Sequence, residues 1–329
     1  MGGYMYPLKL KPAIKDYIWG GERLKHEFGI LSDSPTVAEA WMLSCNAAGA
    51  STILDGPLAG KKLDEAIFAG TREVLGENNS LSEYFPVLIK FLDVKKDLSI
   101  QVHPDDEYAG LHEGGLGKTE MWYVLDAQED AYIYYGFSRA ITKDEMRRHI
   151  EKNTISEVLN RVPVKKGDVF FIEAGTIHTI GKGILIAEIQ QNSDTTYRVY
   201  DYNRTDKNGD KRQLHIEQAI AVTNTGFVPG KPEVPTHTQR DGYKSARLAS
   251  CDHFTVDLLS IESSAELVCD QRSFASLVFL SGEAGIYFDN PGFGDHGVMG
   301  AAKGASVFIP AGTGKYRIEG TCEVLLTVR

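Results

Sequence analysis

The 329-residue chain has few cysteines and no long hydrophobic run, and both features limit the classes of protein to which it can belong. Its four cysteines, at positions 45, 251, 269 and 322, show no Cys-x-x-Cys spacing and lie among apolar residues. This pattern excludes a disulfide scaffold and predicts buried free thiols in a reducing compartment. No apolar stretch is long enough for a signal peptide or a membrane span, so we expect a cytoplasmic protein that does not associate with membranes.

Positive charge is also scarce. The 35 Lys and Arg residues are outnumbered by 45 Asp and Glu residues, which gives a formal net charge of −10. Nucleic-acid binding needs clustered Lys and Arg to neutralise phosphates, so this balance argues against a nucleic-acid partner. A small anionic ligand is not excluded, because a few basic side chains can bind a phosphate through short-range charge-assisted hydrogen bonds. The sequence indicates no obligate protein partner.

Hydrophobic periodicity predicts a mainly β protein. Most of the chain alternates in period two or runs as short apolar stretches between Gly, Pro and Asp turns. Two segments, about 61–75 and 142–160, place apolar residues at three- and four-residue intervals instead and predict inserted helices. A segment with three prolines and little periodicity predicts a surface linker. We expect three parts: an N-terminal domain over 1–226, this linker over 227–242, and a C-terminal β domain over 243–329.

An internal repeat indicates two related β units. Residues 166–178 and 303–315 match in register at Lys, Gly, Phe, Ile, Ala, Gly and Thr. In the same register, His178 of the first copy stands against Lys315 of the second. A cation at that position repels a metal ion. We therefore expect the second unit to be structural and free of metal, and we look for metal-binding side chains in the first.

Four side chains of the first unit form a candidate metal site, namely Gln101, His103, Glu120 and His178. Gln101 and His103 are two apart in a strand-like run, so both leave the same face of a sheet. Glu120 opens a later strand-like run and His178 follows another. Each residue alone is more simply a hydrogen-bonded core residue or an edge charge. Together, their mixed N and O donors suit zinc or another divalent first-row ion.

The spacing around two of these residues is typical of cupins, small double-sheet jelly rolls that hold a metal in the barrel mouth. The run 167–178 fits the second cupin motif, Gly-x5-Pro-x-Gly-x2-His, with Glu173 where Pro is usual. Gln101 and His103 occupy the His-x-His of the first motif, with Gln in the first position. The predicted fold is therefore mainly β, with two cupin-like jelly-roll units and a small inserted helical region.

Over essentially its whole length the chain resembles type I mannose-6-phosphate isomerases in their short bacterial form. This resemblance implies interconversion of mannose 6-phosphate and fructose 6-phosphate, with a bound zinc ion held by the same four residues. The stretches that carry it are Asp16-Tyr-Ile-Trp-Gly-Gly21, Glu39-Ala-Trp-Met-Leu-Ser44, Phe85-Pro-Val-Leu-Ile-Lys-Phe-Leu92, Ser99-Ile-Gln-Val-His-Pro104, Gly117-Lys-Thr-Glu-Met-Trp-Tyr123, Ala174-Gly-Thr-Ile-His178 and Asn192-Ser-Asp-Thr-Thr-Tyr-Arg198.

The resemblance also implies an active-site arginine at Arg198 and pocket positions for Lys118, Lys90, Glu39 and Glu188. Moving a carbonyl from C1 to C2 through an enediol needs a base and a group that stabilises oxyanion character. Arg198 and Lys118 suit the second task or the binding of phosphate, whereas Glu188 or Lys118 suits the first. We assign Lys90 and Glu39 to substrate binding.

A purely structural role remains an open alternative for three of these residues. Arg198 lies in a strand-like run, where it pairs with Asp194 or Asp201 if its role is structural. Lys90 and Glu188 lie between apolar neighbours, so each head group either reaches solvent or points into a wet pocket.

Two other functional classes are also open. A cupin oxygenase would use iron, but such sites leave several positions open on a two- or three-His set, which matches Gln plus Glu poorly. A non-catalytic sugar-binding cupin agrees with the degenerate second unit. The intact ligand set of the first unit argues against it.

Overall fold

The computed structural model describes residues 6–68, 72–79, 84–205, 209–230, 234–290 and 295–329. The strands are β1 (Leu8–Lys11), β2 (Ala13–Lys15), β3 (Glu39–Leu43), β4 (Cys45–Asn46), β5 (Gly49–Ala50), β6 (Thr52–Ile53), β7 (Val87–Val94), β8 (Ile100–Val102), β9 (Glu120–Ala127), β10 (Tyr132–Phe137), β11 (Leu159–Pro163), β12 (Val169–Ile172), β13 (His178–Ile180), β14 (Ile184–Gln191), β15 (Tyr197–Tyr200), β16 (His237–Gln239), β17 (Tyr243–Ser250), β18 (Thr255–Ile261), β19 (Ser264–Cys269), β20 (Ala275–Asn290), β21 (Asp295–Ala302), β22 (Ser306–Ile309) and β23 (Gly314–Val328). The helices are α1 (Arg23–Phe28), α2 (Leu63–Phe68), α3 (Asp106–His112), α4 (Lys143–Glu151) and α5 (Ile216–Val222), with 3-10 turns at Gly56–Leu58, Arg72–Leu75, Glu77–Asn79 and Ile155–Val158.

Two antiparallel sheets face each other and form the N-terminal unit. One has six strands in the order β12-β9-β14-β7-β3-β2, and the other has five in the order β11-β10-β13-β8-β15. Their facing side chains form one apolar cluster, in which Trp122 and Ile186 of the first sheet join Ile133 and Ile180 of the second. The mainly β, cupin-type fold predicted from the sequence is confirmed.

The six-stranded sheet separates two interiors because its side chains alternate between faces. On β7, Phe91 packs into a core that contains residues of the C-terminal unit, whereas Leu92 packs against the five-stranded sheet. Lys90 and Glu188 are direct partners on β7 and β14. They lie on the same face as Leu92, which is the face that lines the interior of the N-terminal unit.

A ten-stranded sheet forms the C-terminal unit, and it folds over its own apolar core. The long strand β20 pairs with β23 along both of its halves, with a change of register between Phe279 and Ser281. Its other edge pairs first with β22 and then with β21. Two strands from the start of the chain complete this sheet: β1 pairs with β22, as at Leu8 and Phe308, and β6 pairs with β1. The division of the chain into domains at 227–242 stays a prediction.

Aromatic packing joins the two units. The ring centroids of Phe85 and Phe274 are 5.2 Å apart, and those of Phe274 and Phe308 are 5.3 Å apart. All three side chains are fully buried in the cluster that also contains residues of the six-stranded sheet. The six-stranded sheet of the N-terminal unit is therefore supported on its outer face by the C-terminal unit.

The inserted helices are shorter than predicted. Thr142 caps α4, since its Oγ1 accepts a hydrogen bond from the backbone N–H of Glu145 at 3.1 Å. The helix ends at Glu151, Asn153 adopts a left-handed φ of 56°, and a 3-10 turn then leads into β11. The prediction of helix up to 160 is therefore wrong, because the left-handed residue stops the helix. The segment predicted over 61–75 contains α2 and the 3-10 turn Arg72–Leu75, and its residues 69–71 lie outside the described ranges.

Part of the predicted linker is an edge strand. Within 227–242, β16 pairs with β17, and residues 231–233 lie outside the described part of the chain. All three side chains of β16 are exposed, so no apolar alternation marks it as a strand.

All four thiols are free, and the expectation that they are buried holds for Cys269 and Cys322, whereas Cys45 and Cys251 are half-buried. None of the described helices is both long and apolar enough to cross a membrane.

Candidate metal centre and substrate cavity

Strands of both facing sheets deliver the four predicted metal ligands. Gln101 is the central residue of β8, and His103 follows the end of that strand. His178 begins β13 directly opposite Gln101, whereas Glu120 begins β9 on the other sheet. The two sheets thus converge on one point from both sides.

The donor atoms lie at distances that suit one shared ion. The Nε2 atom of His178 is 3.3 Å from Glu120 Oε1, and the Nε2 atom of His103 is 3.7 Å from Glu120 Oε2. Ligands that bind an ion at about 2.0–2.2 Å lie roughly 3–4 Å apart. The amide Nε2 of Gln101 lies 3.4 Å from His178 Nε2, and a half-turn of the amide presents its carbonyl oxygen in the same direction.

Backbone carbonyls fix both histidine rings in the metal-binding tautomer. The Nδ1–H of His103 donates to the carbonyl of Thr195 at 2.9 Å, and that of His178 donates to Thr176 at 2.8 Å. Each Nε2 lone pair is thereby directed toward Glu120. Burial lowers the pKa of His178 to about 4, and burial and the charge of Lys118 hold the pKa of His103 well below its usual range. Both rings are therefore neutral near pH 7, as metal ligands must be.

The environment of Glu120 is the one that most clearly indicates a metal ligand. It is fully buried, which raises the pKa of its carboxyl group. Its Oε2 accepts a hydrogen bond from Lys118 Nζ at 2.7 Å, but its Oε1 has no hydrogen-bond partner among the described residues. A buried carboxylate oxygen without a partner is costly unless a cation arrives. The residues present therefore fit a divalent ion.

Lys118 links the metal donors to an adjacent cavity. Its Nζ lies 3.1 Å from His103 Nε2 and 2.7 Å from Glu120 Oε2, and its side chain also lines the cavity. The cavity lining further includes Gln101 and four of the predicted site residues: Glu39, Lys90, Glu188 and Arg198. The structure thus brings every predicted site residue to one place.

A buried charge network forms one wall of this cavity. Lys90 Nζ donates to Glu188 Oε1 at 3.0 Å and lies 3.9 Å from Glu39 Oε2. Two tryptophans hold the carboxylates: Trp41 Nε1 donates to Glu39 at 2.6 Å and Trp122 Nε1 donates to Glu188 at 3.0 Å. Lys90 and Glu188 therefore point into the cavity, which excludes the solvent-directed alternative for both.

The two members of the central pair stabilise each other's charge. Burial alone would lower the pKa of Lys90, but Glu188 and Glu39 outweigh it and raise that pKa. Burial alone would raise the pKa of Glu188, but Lys90 and Lys118 outweigh it and hold that pKa below its usual range. Both groups are thus charged near neutral pH. The loss of one partner from such a buried pair typically costs about 3–5 kcal/mol, because the other charge stays behind.

Arg198 occupies the opposite wall. It lies on β15 directly across from Gln101, and it lines the same cavity. Asp201, one partner proposed for a structural role, is bound by Arg204 and Arg212 instead. Within the described residues, the buried Nε of Arg198 has no hydrogen-bond partner. The structure therefore leaves this guanidinium available to a ligand.

Comparison with known proteins identifies the family of the chain. The family profile described as phosphomannose isomerase type I, catalytic domain, matches residues 7–161, and that of the mannose-6-phosphate isomerase cupin domain matches residues 244–328. A Bacillus subtilis (strain 168) relative, "Probable mannose-6-phosphate isomerase GmuF", is 40% identical over 324 residues, which cover 98% of this chain and 99% of the relative. The chain belongs to the type I mannose-6-phosphate isomerase family.

Two further similarities support the assignment to this family. The mannose-6-phosphate isomerase of Streptococcus mutans serotype c (strain ATCC 700610 / UA159) is 46% identical over 263 residues, which cover 79% of this chain and 81% of the relative. The crystal structure of the mannose 6-phosphate isomerase from Bacillus subtilis superposes with a TM-score of 0.90 at 36% identity, and covers 98% of this chain and 99% of the other. The predictions of family and enzyme class, an aldose–ketose isomerase, are confirmed.

Sequence reasoning missed several residues of the cavity wall. Tyr17, Trp41, Asp194 and Thr196 line the cavity and lie within the stretches that carry the family resemblance, so those stretches contained the signal. Thr196 also stands two residues before Arg198, the spacing that puts side chains on one face of a strand. Arg212 also lines the cavity but lies in an irregular segment after β15, where no periodicity marks it.

We expect one metal ion per chain, in the N-terminal unit. Among the described residues, one group of three His, Cys, Asp or Glu side chains is close enough to hold an ion, and it is His103, Glu120 and His178. The repeat aligns Lys315 with His178, but the Lys315 side chain is exposed whereas the neighbouring Tyr316 is buried. Metal analysis should give one equivalent, and anomalous diffraction should locate it between the two facing sheets. An ion in the C-terminal unit would contradict the repeat argument.

Proposed function

We propose that the protein interconverts mannose 6-phosphate and fructose 6-phosphate through an enediol, with one zinc ion bound. One observation supports this most strongly: a buried set of neutral imidazoles and an unpartnered carboxylate oxygen opens onto a cavity with fixed charges on both walls. The membership of the chain in the isomerase family supplies the substrate class. We propose Gln101, His103, Glu120 and His178 as the ligands that would hold the ion.

A bound divalent ion supplies positive charge that orients sugar oxygens or polarises a carbonyl. Side chains of the protein supply the other requirements of the reaction, which are stabilisation of the oxyanion and transfer of the proton. Arg198 and Lys118 carry positive charge into the cavity, where it opposes negative charge that develops on O1 and O2 of the substrate. Arg198 donates in a planar fork, whereas Lys118 acts as a compact point charge. We assign Arg198 to stabilisation of the enediolate. Lys118 contributes to the same task while it is protonated, and it can act as a base only in its neutral form.

Proton transfer between C1 and C2 needs a base that touches the cavity, and the candidates are Lys118 and Glu188. The ion pair with Lys90 keeps Glu188 ionised and lowers its proton affinity. The same pair fixes the position of the Glu188 carboxylate, so it is well placed to accept hydrogen bonds from sugar hydroxyls. We assign Lys90 and Glu39, the other members of this wall, to substrate binding.

An isomerase assay under anaerobic conditions tests the proposal. We expect conversion of mannose 6-phosphate to fructose 6-phosphate without oxygen, its loss after treatment with a chelator, and its recovery when Zn²⁺ is returned. Activity that requires oxygen would instead support a cupin oxygenase. Sugar phosphate binding without turnover in the metal-loaded protein would support a binding protein.

Cell location and partners stay predictions. The four free thiols agree with a reducing, cytoplasmic location, which fractionation of the native host would test. We expect the sugar phosphate to be the partner of this protein.

A further inference from the structure

Lys118 lies on a segment without regular secondary structure. Residues 116–119 form neither helix nor strand, and β9 begins only at Glu120. Such segments are usually exposed and mobile, because they lack the hydrogen bonds of a helix or a sheet. Gly117, Lys118 and Thr119 are nevertheless buried. Other contacts must therefore hold the backbone from which the Lys118 side chain extends.

Three consecutive backbone N–H groups of this segment are all bonded. The N–H of Gly117 donates to Oδ1 of Asp106 at 2.7 Å. The N–H of Lys118 donates to a backbone carbonyl of the loop before α3 at 2.9 Å. The N–H of Thr119 donates to Oε1 of Gln191 at 2.8 Å. The backbone donors around Lys118 are thus satisfied without a helix or a sheet.

Asp106 and Gln191 are also bonded to each other. Nε2 of Gln191 donates to the same Oδ1 of Asp106 at 2.8 Å. Gln191 is buried at the end of β14, and its backbone N–H donates to the carbonyl of Thr119 at 3.1 Å. A Cβ on Gly117 would lie 2.5 Å from the backbone at the start of α3, so the segment packs directly against that helix. We call the two linked side chains, Asp106 and Gln191, the bracket, since they hold the residues on both sides of Lys118.

The bracket supports Lys118 rather than the neighbouring metal donor. Glu120 is held by the sheet itself, because it pairs with Ile172 of β12 and with Gln190 of β14. Lys118 precedes the strand, yet its Nζ lies 2.7 Å from Glu120 Oε2 at the wall of the cavity. A misplacement of about 1 Å can lower a rate about a hundredfold. The position of the Lys118 backbone therefore matters for catalysis more than for metal binding.

We propose that Gln191 and Asp106 are positioning residues that place Lys118 for the reaction, and this assignment rests on the proposed function. Gln191 bonds the residue after Lys118 and Asp106 bonds the residue before it, so loss of either frees one side of the lysine. Neither side chain is part of the cavity lining. Their effect passes through Lys118, which acts on the transition state, and it therefore appears in kcat rather than in KM.

The test compares Asp106→Ala with Asp106→Asn in the metal-loaded enzyme. Asp106 is exposed, so the fold tolerates both changes, and asparagine keeps a carbonyl oxygen that can accept both bonds. For Asp106→Ala we expect kcat to fall on the order of tenfold, with KM within about threefold of wild type and one equivalent of metal. Asp106→Asn should keep kcat within about threefold of wild type. So should the matched control Glu107→Ala, which removes the same charge from the same exposed turn of α3 and leaves the bracket intact.

Gln191→Met removes the buried half of the bracket. Methionine has a similar volume, so the core stays filled, but the N–H of Thr119 loses its acceptor. We expect kcat to fall on the order of a hundredfold at unchanged metal content, because both side-chain bonds of Gln191 are lost. If Gln191→Met unfolds, the comparison of the two Asp106 variants decides the question.

Three outcomes would overturn the proposal while the proposed function stands. The first is a normal kcat in Asp106→Ala, and the second is equal impairment of Asp106→Ala and Asp106→Asn. The third is a fall in kcat that matches a loss of metal, since the bracket would then act on a ligand. A wild-type protein without isomerase activity would contradict the proposed function instead. Crystal structures of the wild type and Asp106→Ala would then test the bracket: we expect Lys118 Nζ to move by about 1 Å relative to Glu120, and an unmoved lysine would overturn the proposal.

Discussion

The substitution His178→Ala is expected to abolish metal binding and most of the isomerase activity while the fold survives. His178 is fully buried, and its Nε2 faces Glu120 Oε1 at 3.3 Å. Loss of a residue that merely supports a ligand lowers metal affinity by about ten- to a hundredfold, so loss of a ligand should lower it by more than about a hundredfold. We expect kcat/KM to fall in parallel. Elemental analysis and steady-state kinetics on the same preparation measure both quantities.

The fold is expected to survive because the apolar cores, rather than the ion, supply most of its stability. Trp122 and the facing strands remain packed when one imidazole is removed from the mouth of the barrel. A matched control is His26→Ala, since the His26 side chain is 71% exposed on α1 and is not part of the cavity lining. It should bind one equivalent of metal and turn over normally. Full metal occupancy in His178→Ala would show that the ligand assignment is wrong.

The candidate metal site was predictable because its signals are local. Each of the four residues lies in or directly beside a short strand, and period-two alternation fixes the face on which a side chain emerges. Gln101 is an example, because it alternates with two buried apolar neighbours in its strand. The direction of Glu188 was not predictable in this way, because every residue of β14 is buried and the strand shows no alternation. The exposed position of Lys315 shows the limit of this approach. An internal repeat aligns its two copies by sequence position, but it does not determine at which residue the strand begins in each copy.

Features that depend on distant pairing were not predictable in the same way. Leu8 on β1 lies opposite Phe308 on β22, near the other end of the chain, and no pattern within either segment identifies its partner. The bond between Asp201 and Arg212 likewise joins a strand end to an irregular segment. The edge strand β16 was missed for another reason, since with no buried side chain it has no apolar period.

Arg198→Lys is the variant that tests whether Arg198 stabilises the transition state or only binds the substrate. The substitution keeps the positive charge and loses the planar fork. Since Arg198 lies directly across from Gln101 on the neighbouring strand, we expect it to act on charge that develops during the reaction. The expected result is a fall in kcat on the order of ten- to a thousandfold, with unchanged metal content and melting temperature.

The division of the effect between kcat and KM makes this expectation specific. Loss of a group that touches the developing oxyanion lowers kcat and kcat/KM together. Loss of a group that holds the phosphate throughout the reaction raises KM alone. Arg247→Lys is a suitable control because Arg247 forms an exposed ion pair with Asp257 on the C-terminal sheet, and it should have no effect on either constant. If Arg198→Lys raises KM and leaves kcat unchanged, Arg198 binds the substrate equally in the ground state and in the transition state. If it is kinetically normal, or if it unfolds, Arg198 is a structural residue and the enediolate must be stabilised from the Lys118 side of the cavity.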